Sequence, residues 1–124
     1  MARTNQILVV EDNPNMCSLL SDILDFFDCR TVGAQDGEEA LKILGAESFD
    51  MVITDLRMPR MGGLDLLRNI KDKFPSLPVV VITGFDNDSS RSDALAAHAD
   101  GFLCKPFKVE QIRELLKKHL GCQE

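Results

Sequence analysis

Short apolar runs alternate along the chain with segments in which apolar residues recur every three or four positions. The continuous runs are typical of strands buried on both faces, and the spaced segments are typical of amphipathic helices. The pattern predicts five strands, at residues 7–10, 29–34, 51–54, 79–82 and 102–104. The second run is the least apolar, so we expect this strand near an edge of a sheet.

A helical segment follows each predicted strand. The first begins at Asn13 and Pro14, a favourable N-cap and first-turn pair. Its apolar positions have the spacing of a core-facing helix, and they are Met16, Leu19, Leu20, Ile23, Leu24 and Phe27.

Four more helices are predicted, and they differ in how well they are anchored. The second covers residues 37–44, and the third follows Gly62-Gly63 and carries Leu64, Leu67 and Ile70. The fourth, at residues 89–98, has only a thin apolar face. The last, at residues 109–119, has a clear one that includes Val109, and Gly121 ends it.

Alternating strands and helices predict an α/β fold, in which a parallel sheet has helices on both faces and right-handed crossovers. The length of 124 residues fits a single domain, residues 1–124, with a core from about residue 6 to residue 120. In open parallel sheets ligands bind at the carboxyl ends of the strands. The residues that follow each strand are therefore the first candidates for a functional site.

The composition limits the classes of partner. The chain has 14 Lys and Arg against 20 Asp and Glu, a net charge of −6. This balance argues against direct nucleic-acid binding, because phosphate backbones attract basic side chains. No apolar run approaches the ~20 residues of a membrane span, and the first residues lack a signal-peptide core. We therefore expect a cytoplasmic protein with no membrane partner.

The four cysteines are Cys17, Cys29, Cys104 and Cys122, and none of them has CxxC spacing. A structural zinc site is not expected from this arrangement. Reduced thiols that pack as small apolar groups fit a cytoplasmic protein better.

Charged and polar residues follow the predicted strands and converge on one edge of the sheet. Glu11 and Asp12 follow the first strand, Asp55 the third, Thr83 the fourth and Lys105 the fifth. Three acids close together repel one another, and a divalent cation relieves that repulsion. Carboxylate oxygens select Mg²⁺ first, then Mn²⁺ or Ca²⁺. The alternative is that Glu11 and Asp12 are only solvated loop acids.

Four segments carry a resemblance to a known family: Glu11-Asp12, Thr54-Asp55-Leu56-Arg57-Met58-Pro59 with Gly62-Gly63, Val81-Ile82-Thr83-Gly84, and residues 99–107. In this order and spacing they resemble the receiver domain of two-component response regulators, as in chemotaxis regulators. The resemblance extends from about Gln6 to Leu120. It implies a flavodoxin-like (βα)5 fold with strand order 2-1-3-4-5.

The resemblance implies a role for each residue at this edge. Asp55 would be the phosphoacceptor and would attack a phosphohistidine of a sensor histidine kinase or a histidine phosphotransfer protein. Mg²⁺, or Mn²⁺ in its place, would be held by Asp12, Asp55, the backbone carbonyl of Arg57 and, through water, Glu11. Lys105 would place a fixed positive charge against a phosphoryl oxygen.

Two further residues would act as switches. Thr83 would donate its hydroxyl to the phosphoryl group, and its movement would let Phe102 turn inward. The surface made by the fourth helix, the fifth strand and the last helix would then change for a downstream protein target. Taken singly, Thr83 is an ordinary strand-end residue and Phe102 an ordinary core aromatic. The resemblance gives Pro59 and Gly62 a structural role, and Pro106 fits a cis peptide bond after Lys105.

Some residues depart from the family's pattern. Gly84 stands where Ala is more common, and His98 stands where a helix usually ends in Gly, which leaves the end of that helix open. Arg57 and Phe85 flank the site. Our hypothesis is that these two side chains shield the phosphoryl group from water and lengthen its lifetime.

Two other functions stay open. A small phosphatase would use Asp55 as its nucleophile, but such enzymes commonly have an acid two residues later, where this chain has Arg57. The intact acids and Lys105 argue against a phosphorylation-independent interaction domain. The receiver interpretation predicts a signalling domain whose only catalysis is its own phosphotransfer and autodephosphorylation. We expect no output domain, and a monomer or a phosphorylation-promoted dimer.

Overall fold

The computed structural model describes residues 5–56, 63–84, 93–94 and 96–120. The strands are β1 (Gln6–Val10), β2 (Arg30–Ala34), β3 (Met51–Asp55), β4 (Val79–Thr83) and β5 (Gly101–Cys104). The helices bounded within these residues are α1 (Pro14–Phe26), α2 (Gly37–Ala46), α3 (Gly63–Lys73) and α4 (Val109–Leu120). In this part of the chain no helix is both long enough and apolar enough to span a membrane.

The five strands form one parallel sheet in the order β2-β1-β3-β4-β5. This confirms the predicted α/β fold and its strand order. The least apolar strand, β2, lies at an edge, as predicted. Strands β3 and β4 are buried along their whole length.

Side chains of the sheet alternate between two apolar cores, because successive residues of a strand point to opposite faces. In β1, Ile7 and Val9 belong to the core that also contains the buried residues of α1 and α4. Leu8 and Val10 belong to the core that contains the buried residues of α2 and α3. Helices therefore cover both faces of the sheet, as predicted.

The start of α1 follows the prediction, but one of its apolar residues does not. The side chain of Asn13 caps the helix, and Pro14 occupies its first turn. Leu20 and Leu24 are buried, whereas Leu19 is 46% exposed. Adjacent helical residues lie about 100° apart around the helix axis, so a core contact centred on Leu20 leaves Leu19 at its margin.

Two more helical positions differ from the prediction. Val109 is 46% exposed, because it begins α4 and the buried contacts of this helix are made later, by Ile112 and Leu116. Leu66 of α3 is completely buried although it was not assigned to the apolar face. It lies beside Leu67, and the two together widen the core contact of this helix.

The predicted helix at residues 89–98 is described only in part. Asp93, Ala94 and Ala96 are helical, while residues 89–92 and Leu95 lie outside the described residues. His98 has φ of 71°, and the N–H of Ala99 donates to the carbonyl of Ala94 at 3.0 Å. His98 thus adopts the left-handed conformation that glycine usually takes at a helix end.

An ion pair lies where strands β4 and β5 begin, at the end of the sheet that we call its amino edge. Lys71 Nζ of α3 lies 2.6 Å from Asp100 Oδ2 and donates to the carbonyl of Leu77 at 2.8 Å. Asp100 Oδ2 also accepts from the N–H of Val79 at 2.8 Å. The pair therefore ties the beginnings of β4 and β5 to α3.

Candidate functional site

The register of the sheet places two acids side by side at its carboxyl edge. Val10 of β1 pairs with Thr54 of β3. The residues that follow them, Glu11 and Asp55, therefore lie side by side at the carboxyl ends of these two strands. The N–H of Glu11 donates to the carbonyl of Ala34 at 2.9 Å, which continues the ladder towards β2. Backbone pairing alone thus brings the first and third strand ends together.

Three carboxyl groups meet at this edge. Glu11, Asp12 and Asp55 each offer an oxygen, and these oxygens all lie within 4.8 Å of one another. Glu11 is 4% exposed and Asp55 is 8% exposed, whereas Asp12 faces solvent. Two buried carboxylates with a solvent-facing third are a donor set suited to a hard divalent cation, which takes oxygen ligands and keeps some of its waters.

Lys105 supplies positive charge to the same cluster. It follows β5, and its Nζ lies 2.9 Å from Asp55 Oδ2 and 3.4 Å from Glu11 Oε1. Its N–H donates to the carbonyl of Thr83 at 2.8 Å, which extends the pairing of β4 with β5. One lysine therefore contacts both buried acids of the site.

The electrostatics of the cluster are unbalanced. Burial, followed by the charge of Asp55, raises the pKa of Glu11 from 4.5 to about 7, although Lys105 and the N–H of Asn13 act in the opposite direction. Burial alone would lower the pKa of Lys105, but its hydrogen bond to Asp55 and the charges of Asp55 and Glu11 raise it overall. Lys105 thus stays charged, and the two buried acids lack one compensating positive charge whenever both are ionised.

The remaining predicted site residues occupy distinct places. Thr83 ends β4 and is completely buried. Phe102 of β5 is half-buried and packs against the core beneath α2 and α3. The Lys105–Pro106 peptide bond is cis. Arg57, Pro59, Gly62 and Phe85 lie outside the described residues, so the assignments made for them stay predictions.

Two features of this edge were missed by sequence reasoning. The sequence predicts Asn13 only as a helix cap. Its backbone N–H also donates to Glu11 Oε2 at 3.2 Å. A cleft of about 430 Å³ opens beside Glu11, with Cys17 and Gly33 in its lining. A Cβ at Gly33 would lie 3.2 Å from Cys17 Sγ, a contact tight enough that the Cys17 side chain would have to shift slightly. The closeness of Asn13 to Glu11 in the sequence could have signalled the hydrogen bond, whereas the sequence pattern gives no signal of the cleft.

The cysteines of the described residues, Cys17, Cys29 and Cys104, form no disulfide. Burial, followed by the charge of Glu11, raises the pKa of the Cys17 thiol. This thiol therefore stays protonated beside the acids and acts as a small packing group, as predicted.

Comparison with known proteins identifies the family. Residues 7–117 match the model of the response regulator receiver domain. The chain belongs to this family. Response regulator MprA of Mycolicibacterium vanbaalenii is 37% identical over 117 residues, which are 91% of this chain and 51% of that protein. This receiver chain spans between a quarter and a half of the length of such relatives.

Solved receiver structures share the fold. TrrA of Thermotoga maritima, a response regulator solved in complex with Mg²⁺-BeF, has a TM-score of 0.86 and 32% identity, with 94% of this chain and 100% of that chain covered. The receiver domain of a Pseudomonas aeruginosa sensor histidine kinase has a TM-score of 0.88 and 26% identity, with 96% and 99% covered. That structure has a magnesium ion coordinated in its active site cleft.

Proposed function

We propose that this receiver domain accepts a phosphoryl group on Asp55 in a reaction that depends on Mg²⁺. The observation that carries the proposal is the contact of Asp55 Oδ2 with Lys105 Nζ at 2.9 Å, inside a cluster of three carboxyl groups. A carboxylate is a poor nucleophile towards an anionic phosphoryl group unless positive charge offsets the repulsion. Lys105 and a divalent cation are the two sources of that charge.

The cation would be Mg²⁺, with Mn²⁺ as a substitute. Asp12 and Asp55 would bind it directly and Glu11 through a water, and the backbone carbonyl of Arg57 completes the proposed protein ligands. When bound, the ion would supply positive charge that offsets the repulsion between Asp55 and the phosphoryl oxygens. The oxygen-only donor set supports this choice, because carboxylates and carbonyls select hard cations over zinc or copper.

Each protein group has a defined part in the transfer. An Asp55 oxygen attacks phosphorus in line with the bond to the leaving nitrogen of a phosphohistidine. The new O–P bond makes Asp55 an aspartyl phosphate, and the histidine keeps the electron pair of the broken P–N bond. Lys105 stabilises one phosphoryl oxygen, and Thr83 donates its hydroxyl to another. The domain would later catalyse its own dephosphorylation, in which water hydrolyses the aspartyl phosphate.

The donor would be a sensor histidine kinase or a histidine phosphotransfer protein. Phosphorylation would shift Thr83 and Phe102, and with them β5, α4 and the helix predicted at residues 89–98. A downstream protein would bind that surface. The receiver domain itself would be a monomer or a phosphorylation-promoted dimer in the cytoplasm. This proposal treats residues from about 6 to 120 as one receiver domain.

Intact mass measurement tests the proposal. With Mg²⁺ and acetyl phosphate, the protein should gain about 80 Da, the mass of one phosphoryl group. Asp55→Asn should abolish the gain, whereas Asp72→Asn, at an exposed position of α3, should not affect it. Turnover of acetyl phosphate without an adduct would indicate a phosphatase. Neither adduct nor turnover would indicate an interaction domain, and either result rejects the proposal.

A further inference from the structure

Asn13 connects the acidic edge to helix α1. Its N–H donates to Glu11 Oε2 at 3.2 Å. Its side-chain Oδ1 accepts from the N–H groups of Asn15 at 2.9 Å and Met16 at 3.3 Å. Its carbonyl accepts from the N–H of Cys17 at 3.0 Å. The residue that caps the helix therefore also touches a carboxylate of the site.

The position of the Glu11 carboxylate depends on this contact. Oε2 accepts from Asn13, and Oε1 lies 3.4 Å from Lys105 Nζ. Glu11 is only 4% exposed, so bulk water does not readily replace a lost partner. The direction of the Asn13 N–H in turn depends on the backbone of Asn13, which the capping bonds to the first turn of α1 hold in place.

The same restraint reaches Asp12. This residue lies between two fixed points, the hydrogen bond from the Glu11 N–H to the carbonyl of Ala34 and the cap at Asn13. The side chain of Asp12 is exposed, so the backbone on either side sets the point from which its carboxylate reaches the site. Loss of the cap would free one end of this short segment.

We propose that Asn13 is a positioning residue for the divalent-cation site, acting through Glu11 and Asp12. Side chains held in place before an ion binds need less ordering when it binds, so the affinity is higher. Groups that orient the ligands of a metal commonly change its affinity 10–100-fold when they are removed. The inference rests on the proposed function, because it assumes that Mg²⁺ is the bound ion.

Titration with Mg²⁺ alone, followed through amide NMR resonances, tests this role. Asn13→Ala should raise the Kd for Mg²⁺ by about tenfold. Asn13→Ser, which restores a side-chain acceptor at the cap, should bring the Kd back to within about twofold of wild type. The matched control is Gln111→Ala, because Gln111 Oε1 accepts from the N–H of Lys108 at 2.7 Å at the start of α4. This variant removes a comparable cap bond without touching the acids and should leave the Kd unchanged.

Loss of stability must be separated from loss of positioning. Thermal unfolding without Mg²⁺ measures the first effect, and Asn13→Gly lowers stability less than Ala does while still lacking the acceptor. Asn13→Gly should therefore raise the Kd although the protein stays folded. Equal Kd values for Asn13→Ala and Gln111→Ala, or no recovery in Asn13→Ser, would overturn the proposed role of Asn13 but leave the proposed function standing. A wild-type protein that binds no Mg²⁺ would overturn the proposed function, and this role with it.

Discussion

Two Lys–Asp ion pairs lie at opposite edges of the sheet, and they differ in charge balance. At the amino edge, Lys71 and Asp100 are matched one to one, and each also makes a hydrogen bond to the backbone, at Leu77 and Val79 respectively. At the carboxyl edge, the lysine that contacts Asp55 also contacts the buried Glu11. The first arrangement is balanced in charge, whereas the second has an acid in excess.

The difference separates a structural ion pair from a reactive one. A partly buried pair of matched charge that is also hydrogen-bonded to the backbone holds elements in place and attracts no further charge. A cluster with surplus negative charge stores repulsion, which a cation relieves on binding. The fold is therefore stabilised at its amino edge and is left electrostatically incomplete where a cation and a phosphoryl group would bind.

The largest effect should come from removing the lysine of the carboxyl edge. Lys105→Met keeps much of the length and apolar stem of the side chain but leaves Asp55 and Glu11 without their shared cation. Phosphoryl uptake from acetyl phosphate, followed as the rate of the 80 Da mass gain, should fall at least about 100-fold. The matched variant Lys71→Met should take up phosphate at the wild-type rate. Uptake within threefold of wild type in Lys105→Met would remove the distinction between the two pairs.

The excess acid should also make stability depend on pH. The pKa of Glu11 is raised to about 7 in the folded protein, so the folded state binds this proton more tightly than the unfolded state does. The resulting stability is complete below pH 4.5 and is lost as the pH rises through about 7. The loss should be at most about 3–4 kcal/mol, because the pKa rises from 4.5 to about 7 and one pKa unit corresponds to about 1.4 kcal/mol.

Urea unfolding of the metal-free protein between pH 4.5 and 8 measures this dependence. Glu11→Gln should make the profile flatter over that range, because the titrating group is gone. Mg²⁺ should also reduce the loss at high pH, because it binds the ionised carboxylates. An unchanged pH profile in Glu11→Gln would assign the charge imbalance to other groups.

At the amino edge, replacing Lys71 should lower the stability of the fold without changing phosphoryl uptake. Lys71→Met leaves the carboxylate of Asp100 without its cation and the carbonyl of Leu77 without a donor. The free energy of unfolding should fall by about 1–2 kcal/mol, because the groups left without Lys71 are only partly buried and water replaces some of the lost hydrogen bonds. Urea denaturation measures the change. A loss below about 0.5 kcal/mol would show that this pair does not fasten the sheet to α3.

The sequence predicts the carboxyl edge better than the amino edge, for a physical reason. Glu11, Asp55 and Lys105 each follow an apolar run, and parallel strands bring such positions together whatever the details of packing. Lys71 and Asp100 lie at the end of a helix and before a short strand, where no rule of periodicity brings them together. Their contact depends on how α3 packs across β4, which is a tertiary property.

Side-chain orientation on helices is the other limit of prediction. The pattern of α1 places Leu19 and Leu20 on one apolar face, but a helix exposes or buries a residue according to its rotation about its own axis. That rotation is set by the packed sheet and not by the helix sequence alone. The hydrogen bond from Asn13 to Glu11 escapes prediction for a similar reason, because it depends on the angle at which α1 leaves β1.

The smallest effect should come from a third ion pair, which serves as a reference for the other two. Arg68 Nη1 lies 3.5 Å from Asp65 Oδ1 on α3, with side chains 60% and 69% exposed. Water and salt screen such a pair, and Asp65 remains favourably placed in the first turn of the helix after its partner is removed. Arg68→Gln should therefore change the free energy of unfolding by less than about 0.5 kcal/mol. If urea denaturation gave Arg68→Gln and Lys71→Met the same cost, burial would not be what distinguishes the pair at the amino edge.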